Sequence, residues 1–257
     1  MRIVILDSSQ SMTSKYGMER LKHIIKDHGN EVVAIITNIN FKPKHIGIIS
    51  RVKKKIKKSE SLIFIDLYYK IIKKTLGRKY YWVYSEIEEY SDFSKIFSGP
   101  IHKVEKINSN EVVELLKSYD CDVAFHSGGM IIRKEVLSVP KIGVIGYHHG
   151  DIEKYRGPFP AFWELYNNEK EVGVTVQILN PGLDTGPIIC KKYFNVNSEK
   201  LKNIQQRIFW ETATLGSESI TKLKDPTFSP ITSYKLGTYR SYPSLIQTLK
   251  LIIKGKI

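Results

Sequence analysis

The chain has 257 residues, a net charge of +14, 42% hydrophobic residues and 26% charged residues. This length and composition exclude a mostly disordered polymer and allow a sizeable core without disulfides. Cys121 and Cys190 exclude a disulfide framework, allow at most one disulfide, and are better explained as buried thiols in a reducing compartment. Because we find no signal-peptide pattern and no run of ~20 apolar residues, we expect a cytoplasmic protein.

The first predicted elements form a strand, a helix and a second strand. Residues 2–6 are rich in β-branched side chains, residues 18–27 have helical spacing, and residues 31–37 are again apolar. Gly29 is expected to end the helix. Continuous apolar strands joined by a helix predict a parallel sheet that helices flank.

Residues 42–92 are less regular, with possible basic helices at 48–58 and 62–76 and an aromatic cluster at 80–84. Residues 42–79 contain 13 Lys and Arg residues but only two acidic residues. Most of the positive charge therefore belongs to one local patch. This distribution does not favour a nucleic-acid-binding protein that is basic all round.

The strand and helix pattern returns between residues 110 and 189. It predicts a helix at 110–119, strands at 121–126 and 142–145, a short helix through Trp163 and an alternating strand at 172–178. The sequence therefore predicts a Rossmann-like α/β fold. Its sheet is open and mainly parallel, with helices on both faces and ligands beyond the carboxyl ends of the strands.

The last 60 residues predict a helical extension. Ser198 is expected to cap one long helix that Asp225 and Pro226 end at Lys224. Residues 226–257 contain three prolines and an amphipathic end at 245–253, and we expect them to lie outside the sheet. The predicted domains are an α/β domain at 1–197 and a C-terminal helix and extension at 198–257.

Titratable side chains gather at predicted strand ends in this second half. One strand ends in G-Y-H-H-G-D, which includes His148, His149 and Asp151, and a later turn, N-P-G-L-D-T-G, presents Asp184. A histidine can stabilise a developing negative charge and transfer protons near neutral pH, and a carboxylate beside it favours its protonated form. We expect Asp151 to hold its loop.

Other patterns in this region exclude some classes of ligand. The chain has no G-x-G-x-x-G and no phosphate-loop pattern, so we expect neither a dinucleotide nor a nucleoside triphosphate. His126 and Ser127 open a glycine-rich loop that could contact a ligand. Because the histidines and Asp151 lack zinc-motif spacing, we expect no metal. Arg156 is expected to pair with a carboxylate or hold its loop.

Three motifs within residues 121–190 carry a family resemblance: G-V-I-G-Y-H-H-G-D-I-E-K-Y-R-G-P, G-V-T-V and G-L-D-T-G-P-I-I. Together they resemble the 10-formyltetrahydrofolate-dependent formyltransferases. That family includes glycinamide ribonucleotide, methionyl-tRNA and sugar-amine formyltransferases. K-Y-R-G followed by L-D-T-G-P at this spacing is specific, whereas either motif alone would be weak.

The resemblance implies a catalytic Asn, His and Asp, of which His148 and Asp184 match the last two. The chain has Gly146 where the family has its Asn, whose amide binds the formyl oxygen. Loss of one such donor costs about 3–4 kcal/mol of transition-state stabilisation. We expect His149, a third candidate catalytic residue, or a water held by the His126 loop to fill the space beside Gly146.

The resemblance also implies the co-substrate and the reaction. We expect 10-formyltetrahydrofolate to bind in a pocket formed by Met130, Ile131, Ile132, Asn180 and Leu183. The predicted enzyme transfers the formyl group to a primary amine. We favour an amino sugar on a nucleotide carrier, because the chain is short for a methionyl-tRNA enzyme with its second, tRNA-binding domain. The basic residues at 42–79 would then attract the carrier's diphosphate.

Two alternative functions stay open at this stage. Gly146 is compatible with a hydrolase, or with a transferase that uses another one-carbon or acyl donor. A non-catalytic folate-fold protein could instead bind nucleic acid or anionic membrane through its basic patch. Our first hypothesis has a small-molecule amine as partner, neither a nucleic acid nor a membrane span, and a homodimer left open.

Overall fold

A computed structural model of the chain describes residues 1–7, 15–27, 29–38, 93–128, 130–196 and 198–257. The basic stretch at 42–79, its two expected helices and the aromatic cluster at 80–84 lie outside the described residues. The described strands are β1 Arg2–Asp7, β2 Glu31–Asn38, β3 Ile101–Val104, β4 Val123–His126, β5 Gly143–His148, β6 Tyr155–Arg156, β7 Glu171–Ile178, β8 Ile188–Asn195 and β9 Thr238–Tyr239.

Seven helices and one short 3₁₀ turn connect or flank these strands in the described part of the chain. They are α1 Lys15–Lys26, the 3₁₀ turn Phe93–Lys95, α2 Asn110–Ser118, α3 Lys134–Leu137, α4 Phe162–Tyr166, α5 Leu201–Trp210, α6 Leu215–Lys224 and α7 Leu245–Ile253. The sequence predicted most of these elements to within a few residues.

Seven strands form one sheet in the order β3-β2-β1-β4-β5-β7-β8. The first five are parallel, and β7 and β8 are antiparallel to their neighbours. The chain crosses from one side of β1 to the other between β3 and β4, so the sheet has a switch point where open α/β folds bind ligands. The predicted Rossmann-like, mainly parallel fold is confirmed.

The two faces of the sheet bury separate apolar cores, and the alternation along β5 assigns each of its side chains to one of them. Ile145 packs in the core that also contains Phe125 and Phe162, with Tyr147 at its edge. Val144 packs in the opposite core. Because side chains alternate along a strand, Gly146 and His148 lie on the face of Val144. This face carries the candidate site.

The predicted single helix from Ser198 to Lys224 is wrong, because the structure has α5 and α6 instead. Lys200 is the N-cap of α5 and makes no side-chain cap. Between the helices, the Tyr147 hydroxyl donates to the Thr212 carbonyl at 2.7 Å and accepts from the Gly216 amide at 2.6 Å. The Tyr147 hydroxyl of β5 therefore forms hydrogen bonds with backbone groups on both sides of the interruption between α5 and α6. Asp225 ends α6, as predicted.

Residues 226–257 lie outside the seven-stranded sheet, as predicted, but pack closely on the α/β domain. β9 pairs with β6 in a separate two-stranded sheet, and Ile231 bridges Ile188 of β8. The α7 helix begins with a capping box between Ser244 and Gln247. No described helix is long and apolar enough to cross a membrane. Both cysteines are free and buried, as the sequence predicted.

Candidate active site

His148 is the last residue of β5 and lies at the carboxyl edge of the sheet. Its side chain is 9% exposed. The Nδ1 atom lies 3.4 Å from Oδ1 of Asp184, and Nε2 lies 3.0 Å from the carbonyl oxygen of Tyr155. Both ring nitrogens face an acceptor, and both can donate at once only when the imidazole is protonated. Each of the two most specific motifs of the sequence therefore contributes one residue to this His148–Asp184 pair.

Gly150 explains how the His148 ring can lie against the following loop. A Cβ atom at Gly150 would lie 2.6 Å from Nε2 of His148 and 3.2 Å from the Tyr155 carbonyl oxygen. The ring therefore occupies the volume that any larger residue would need. This close approach holds Nε2 against the backbone, so Nδ1 is the nitrogen that faces the carboxylate.

Asp184 lies in a tight turn between β7 and β8, with φ of 51° in the left-handed region. Its Oδ2 atom accepts the Gly157 amide at 3.0 Å, which fixes the carboxylate. The turn is closed by Asn180 and Thr185, because the Thr185 hydroxyl donates to Oδ1 of Asn180 at 2.8 Å and Nδ2 of Asn180 donates to the Thr185 carbonyl at 3.2 Å. Asn180, predicted to line a folate pocket, thus also holds the turn that presents Asp184.

The K-Y-R-G segment joins this turn to the C-terminal residues. Arg156 donates from Nε to the Gly237 carbonyl at 2.8 Å and from Nη1 to the Leu183 carbonyl at 3.1 Å. Gly157 has φ of 121°, and a Cβ atom there would lie 2.0 Å from the Arg240 carbonyl oxygen. The predicted loop-holding role of Arg156 is confirmed.

Asp151 belongs to a buried ion-pair network and not to the His148 pair. It accepts from Lys191 at 2.6 Å and from the Tyr193 hydroxyl at 3.0 Å, and Lys191 also contacts Glu153. Burial raises the pKa of Asp151, but hydrogen bonds from Lys191 and the Glu153 amide outweigh this effect and lower it. The expectation that Asp151 holds its loop is confirmed.

His149 lies among aromatic rings on the other face of the sheet. Its ring stacks 3.9 Å from that of Phe209 and 5.7 Å from that of Tyr147, and Nε2 lies 2.7 Å from Nη2 of Arg20. Burial lowers the pKa of His149 well below its usual value, and the Arg20 charge adds to this effect. Nε2 accepts the arginine's hydrogen bond, so the ring is neutral. These contacts hold the His149 ring away from Asp184.

The space beside Gly146 is filled by Leu179. A Cβ atom at Gly146 would have the Leu179 side chain as its nearest neighbour, with methyl carbons at 3.3 and 3.4 Å. The expectation that His149 fills this space is therefore wrong. Leu179 follows the end of β7, and its amide donates to the Val144 carbonyl at 2.7 Å. The pattern of β7 in the sequence does not reveal this packing.

The residues predicted to line a folate pocket differ in their exposure. Met130, Ile131 and Leu183 are 39%, 66% and 41% exposed, which is high for large apolar side chains. Ile132 is buried and packs in the core beneath them. Exposed Met130, Ile131 and Leu183 are compatible with a ligand surface, whereas Ile132 serves the core.

Further buried polar side chains lie near this site, and the sequence did not indicate Asp7 or Gln177 among them. Asp7 ends β1 and accepts from the hydroxyl groups of Thr37 at 2.8 Å and Ser127 at 3.2 Å. His126 ends β4, and burial lowers its pKa to about 4. A polar residue directly after an apolar strand could have indicated Asp7. Gln177, an almost fully buried amide within β7, has no such signature.

Among the described residues, no group of three or more His, Cys, Asp or Glu side chains could hold a metal ion. The arrangement at the carboxyl edge is instead suited to proton transfer. It contains one histidine, one carboxylate fixed by a backbone amide, and exposed apolar side chains in the adjoining loops.

Comparisons with known proteins identify the family to which this α/β fold belongs. A family model described as formyl transferase matches residues 1–214. The chain belongs to the formyl transferase family.

A curated relative is similar over part of the chain. The methionyl-tRNA formyltransferase of Thermodesulfovibrio yellowstonii is 35% identical over 133 residues, which cover 51% of this chain and 43% of the relative. The chain therefore matches less than half of that relative's length.

Solved structures show the same fold over most of the chain. Glycinamide ribonucleotide transformylase 1 from Symbiobacterium toebii matches with a TM-score of 0.58 and 14% identity, covering 93% of this chain and 94% of that chain. An N-formyltransferase from Helicobacter canadensis, solved with folinic acid and dTDP-3-aminofucose, matches with a TM-score of 0.53 and 16% identity. That match covers 93% of this chain and 70% of the neighbour.

Proposed function

We propose that the protein transfers the formyl group of 10-formyltetrahydrofolate to a primary amine. The observation that carries this proposal is the pairing of His148 with Asp184 at 3.4 Å, with Asp184 fixed by the Gly157 amide. Membership of the formyl transferase family supports the class of reaction. The proposed donor site lies at the exposed apolar residues Met130 and Leu183.

In the proposed reaction, the amine attacks the formyl carbon and the carbonyl electron pair moves to oxygen. Protonated His148 stabilises this negative charge, and the Asp184 carboxylate lies beside the ring at 3.4 Å. Protonated His148 then gives its proton to N10 and the C–N10 bond breaks, after which the neutral ring takes the proton that the newly acylated nitrogen loses. The 3.4 Å distance between Nδ1 and Oδ1 of Asp184 is longer than an ordinary N–H···O hydrogen bond.

We propose an amino sugar on a nucleotide carrier as the acceptor. The Helicobacter canadensis enzyme, solved with a dTDP-linked amino sugar, has the same fold over 93% of this chain. The basic residues at 42–79, outside the described part, supply positive charge that an anionic carrier would require.

A tetrahydrofolate-release assay with a panel of amines and nucleotide-linked amino sugars tests this function. We expect His148→Ala and Asp184→Asn each to lower kcat/KM about 10²–10⁴-fold, because general acid–base catalysis contributes that much. His23→Ala and Asp120→Asn are matched controls, since both are outside the site and Asp120 also has a positive φ of 46°.

The two controls should keep wild-type turnover. If His148→Ala and Asp184→Asn retain near-normal turnover on an amine that the wild type formylates, the assigned mechanism is wrong. If the wild type formylates none of the amines, the proposed function is wrong.

A further inference from the structure

Gly146 leaves the proposed oxyanion without an amide donor from β5, and the Leu179 side chain lies where a larger residue at 146 would begin. Among the described residues, the neighbouring strands can supply a further donor from the same face of the sheet. The strands beside β5 are β4 and β7.

Gln177 is the residue of β7 that pairs directly with Gly146, and Thr175 pairs with His148. Side chains of directly opposed residues in antiparallel strands point to the same face. The Gln177 side chain therefore lies on the face of Gly146 and His148. It is 1% exposed, so a carboxamide is buried beside the candidate site.

Among the described residues, the Gln177 carboxamide is held at its oxygen end. Its Oε1 atom accepts the Gly186 amide at 2.9 Å, two residues after Asp184. Gly186 permits this contact because its backbone lies against β7, where a Cβ atom would be 1.7 Å from the Ile178 carbonyl oxygen. Within the described ranges, the hydrogen bond of the Gln177 carboxamide is the one that its Oε1 atom accepts. The bond to Oε1 fixes the orientation of this amino group.

We propose that Gln177 is a catalytic residue that donates a hydrogen bond from Nε2 to the formyl oxygen. It would thus supply from β7 the amide group that Gly146 lacks on β5. The proposal rests on the proposed formyl transfer, since it requires a carbonyl oxygen that becomes negative.

The chemistry of an amide suits this position. An amide donor stays neutral across the working pH range, so its contribution does not depend on proton exchange. When the amine attacks the formyl carbon, the oxygen gains charge and the bond from Nε2 strengthens. The bond weakens again when the C–N10 bond breaks and the carbonyl reforms. A preorganised donor of this kind changes the rate about 10²–10³-fold.

Two variants separate catalysis from support of the turn. Gln177→Glu keeps an acceptor for the Gly186 amide but loses the amino group, whereas Gln177→Met loses both. We expect both variants to lower kcat about 10²–10³-fold, while the KM for 10-formyltetrahydrofolate changes little in Gln177→Glu. A purely structural role would leave the kcat of Gln177→Glu at its wild-type value, and that result would overturn the proposal.

Two further variants test whether an amide on β5 can replace Gln177 and whether His126 is the donor instead. Adding Gly146→Asn and Leu179→Ala to Gln177→Met should restore part of kcat, since the new amide would come from β5. His126→Leu removes the polar side chain that pairs with Gly146 from β4. If His126→Leu loses kcat while Gln177→Glu does not, the donor is His126 and the proposal is wrong.

A binding measurement tests Gln177 separately from turnover. We expect the Nε2 amino resonances of Gln177, identified by their loss in Gln177→Glu, to shift when 10-formylfolate is added. Folic acid, which lacks the formyl group, should not cause the same shift. An equal shift with both ligands, or none with either, would overturn the assignment. Wild-type failure to formylate any amine would count against the proposed function, while this measurement still decides the role of Gln177.

Discussion

At the scale of the residue, Gly157 and Gly128 both adopt positive φ angles but have different surroundings. Gly157, at 121°, lies against the Arg240 carbonyl, which a Cβ atom would approach to 2.0 Å. Gly128, at 99°, has no atom of the described residues within 4 Å of the same position. Both glycines avoid backbone strain, but only Gly157 also makes room for another segment.

We therefore expect Gly157→Ala to destabilise the protein more than Gly128→Ala. The backbone strain costs about 1–2 kcal/mol in both variants, and the clash adds to it only at 157. Because the Gly157 amide fixes Asp184, Gly157→Ala should also lower kcat. Urea unfolding and the tetrahydrofolate-release assay measure the two effects. Equal loss of stability in both variants would show that the contact with Arg240 is unimportant.

The sequence predicts some residues of the site because their spacing is informative. His148 and Asp184 belong to two motifs with a specific separation, and the structure brings the two side chains together. Gln177 and Leu179 belong to an ordinary alternating strand and the residue after it. Their position beside Gly146 follows from strand pairing, which a single sequence does not reveal.

At the scale of the element, tertiary contacts explain where prediction failed. The short strand β3 is mostly half-buried or exposed and has no clear alternation, so its sequence did not indicate a strand. The expected long C-terminal helix is divided where Tyr147 bonds the backbone of residues 212 and 216. That partner is 65 residues away along the chain, whereas helical spacing describes only local contacts.

The short helix α4 contains a carboxyl group with a consequence for stability. Glu164 is 3% exposed, and burial raises its pKa to about 7, with a smaller effect from Glu169. The folded state therefore keeps a proton that the unfolded chain loses above its ordinary pKa of 4.5. Glu164 should thus make the protein less stable as the pH rises from about 4.5 to about 7, with no further loss above that range.

Glu164→Gln should remove this pH dependence. We expect the variant to be more stable than the wild type between pH 5 and pH 8. The difference in the free energy of unfolding should reach about 3 kcal/mol, because one pKa unit corresponds to about 1.4 kcal/mol. Urea unfolding at several pH values measures the difference, with Glu135→Gln as an exposed control. A constant difference between Glu164→Gln and the wild type across this range would show that Glu164 does not titrate there.

At the scale of the whole molecule, the C-terminal residues share a core with the first strand. The same apolar cluster contains Ile3 and Phe125 of the sheet, Ile204 of α5, and Leu251 and Ile257 near the end of the chain. The Leu201 amide also donates to the Lys256 carbonyl at 2.6 Å. The sequence predicts a domain boundary between residues 197 and 198. We propose instead that residues 198–257 unfold together with the α/β domain.

Two positions on α7 test this cooperative unfolding. Leu251 is fully buried, so Leu251→Ala should cost about 2–5 kcal/mol, whereas Ile253, 84% exposed, should tolerate alanine within about 0.5 kcal/mol. If both parts form one unit, tryptophan fluorescence and far-ultraviolet circular dichroism show the same single urea transition. Leu251→Ala then lowers the midpoint of that transition in both signals. Two separate transitions, with only one shifted by Leu251→Ala, would show instead that residues 198–257 unfold independently.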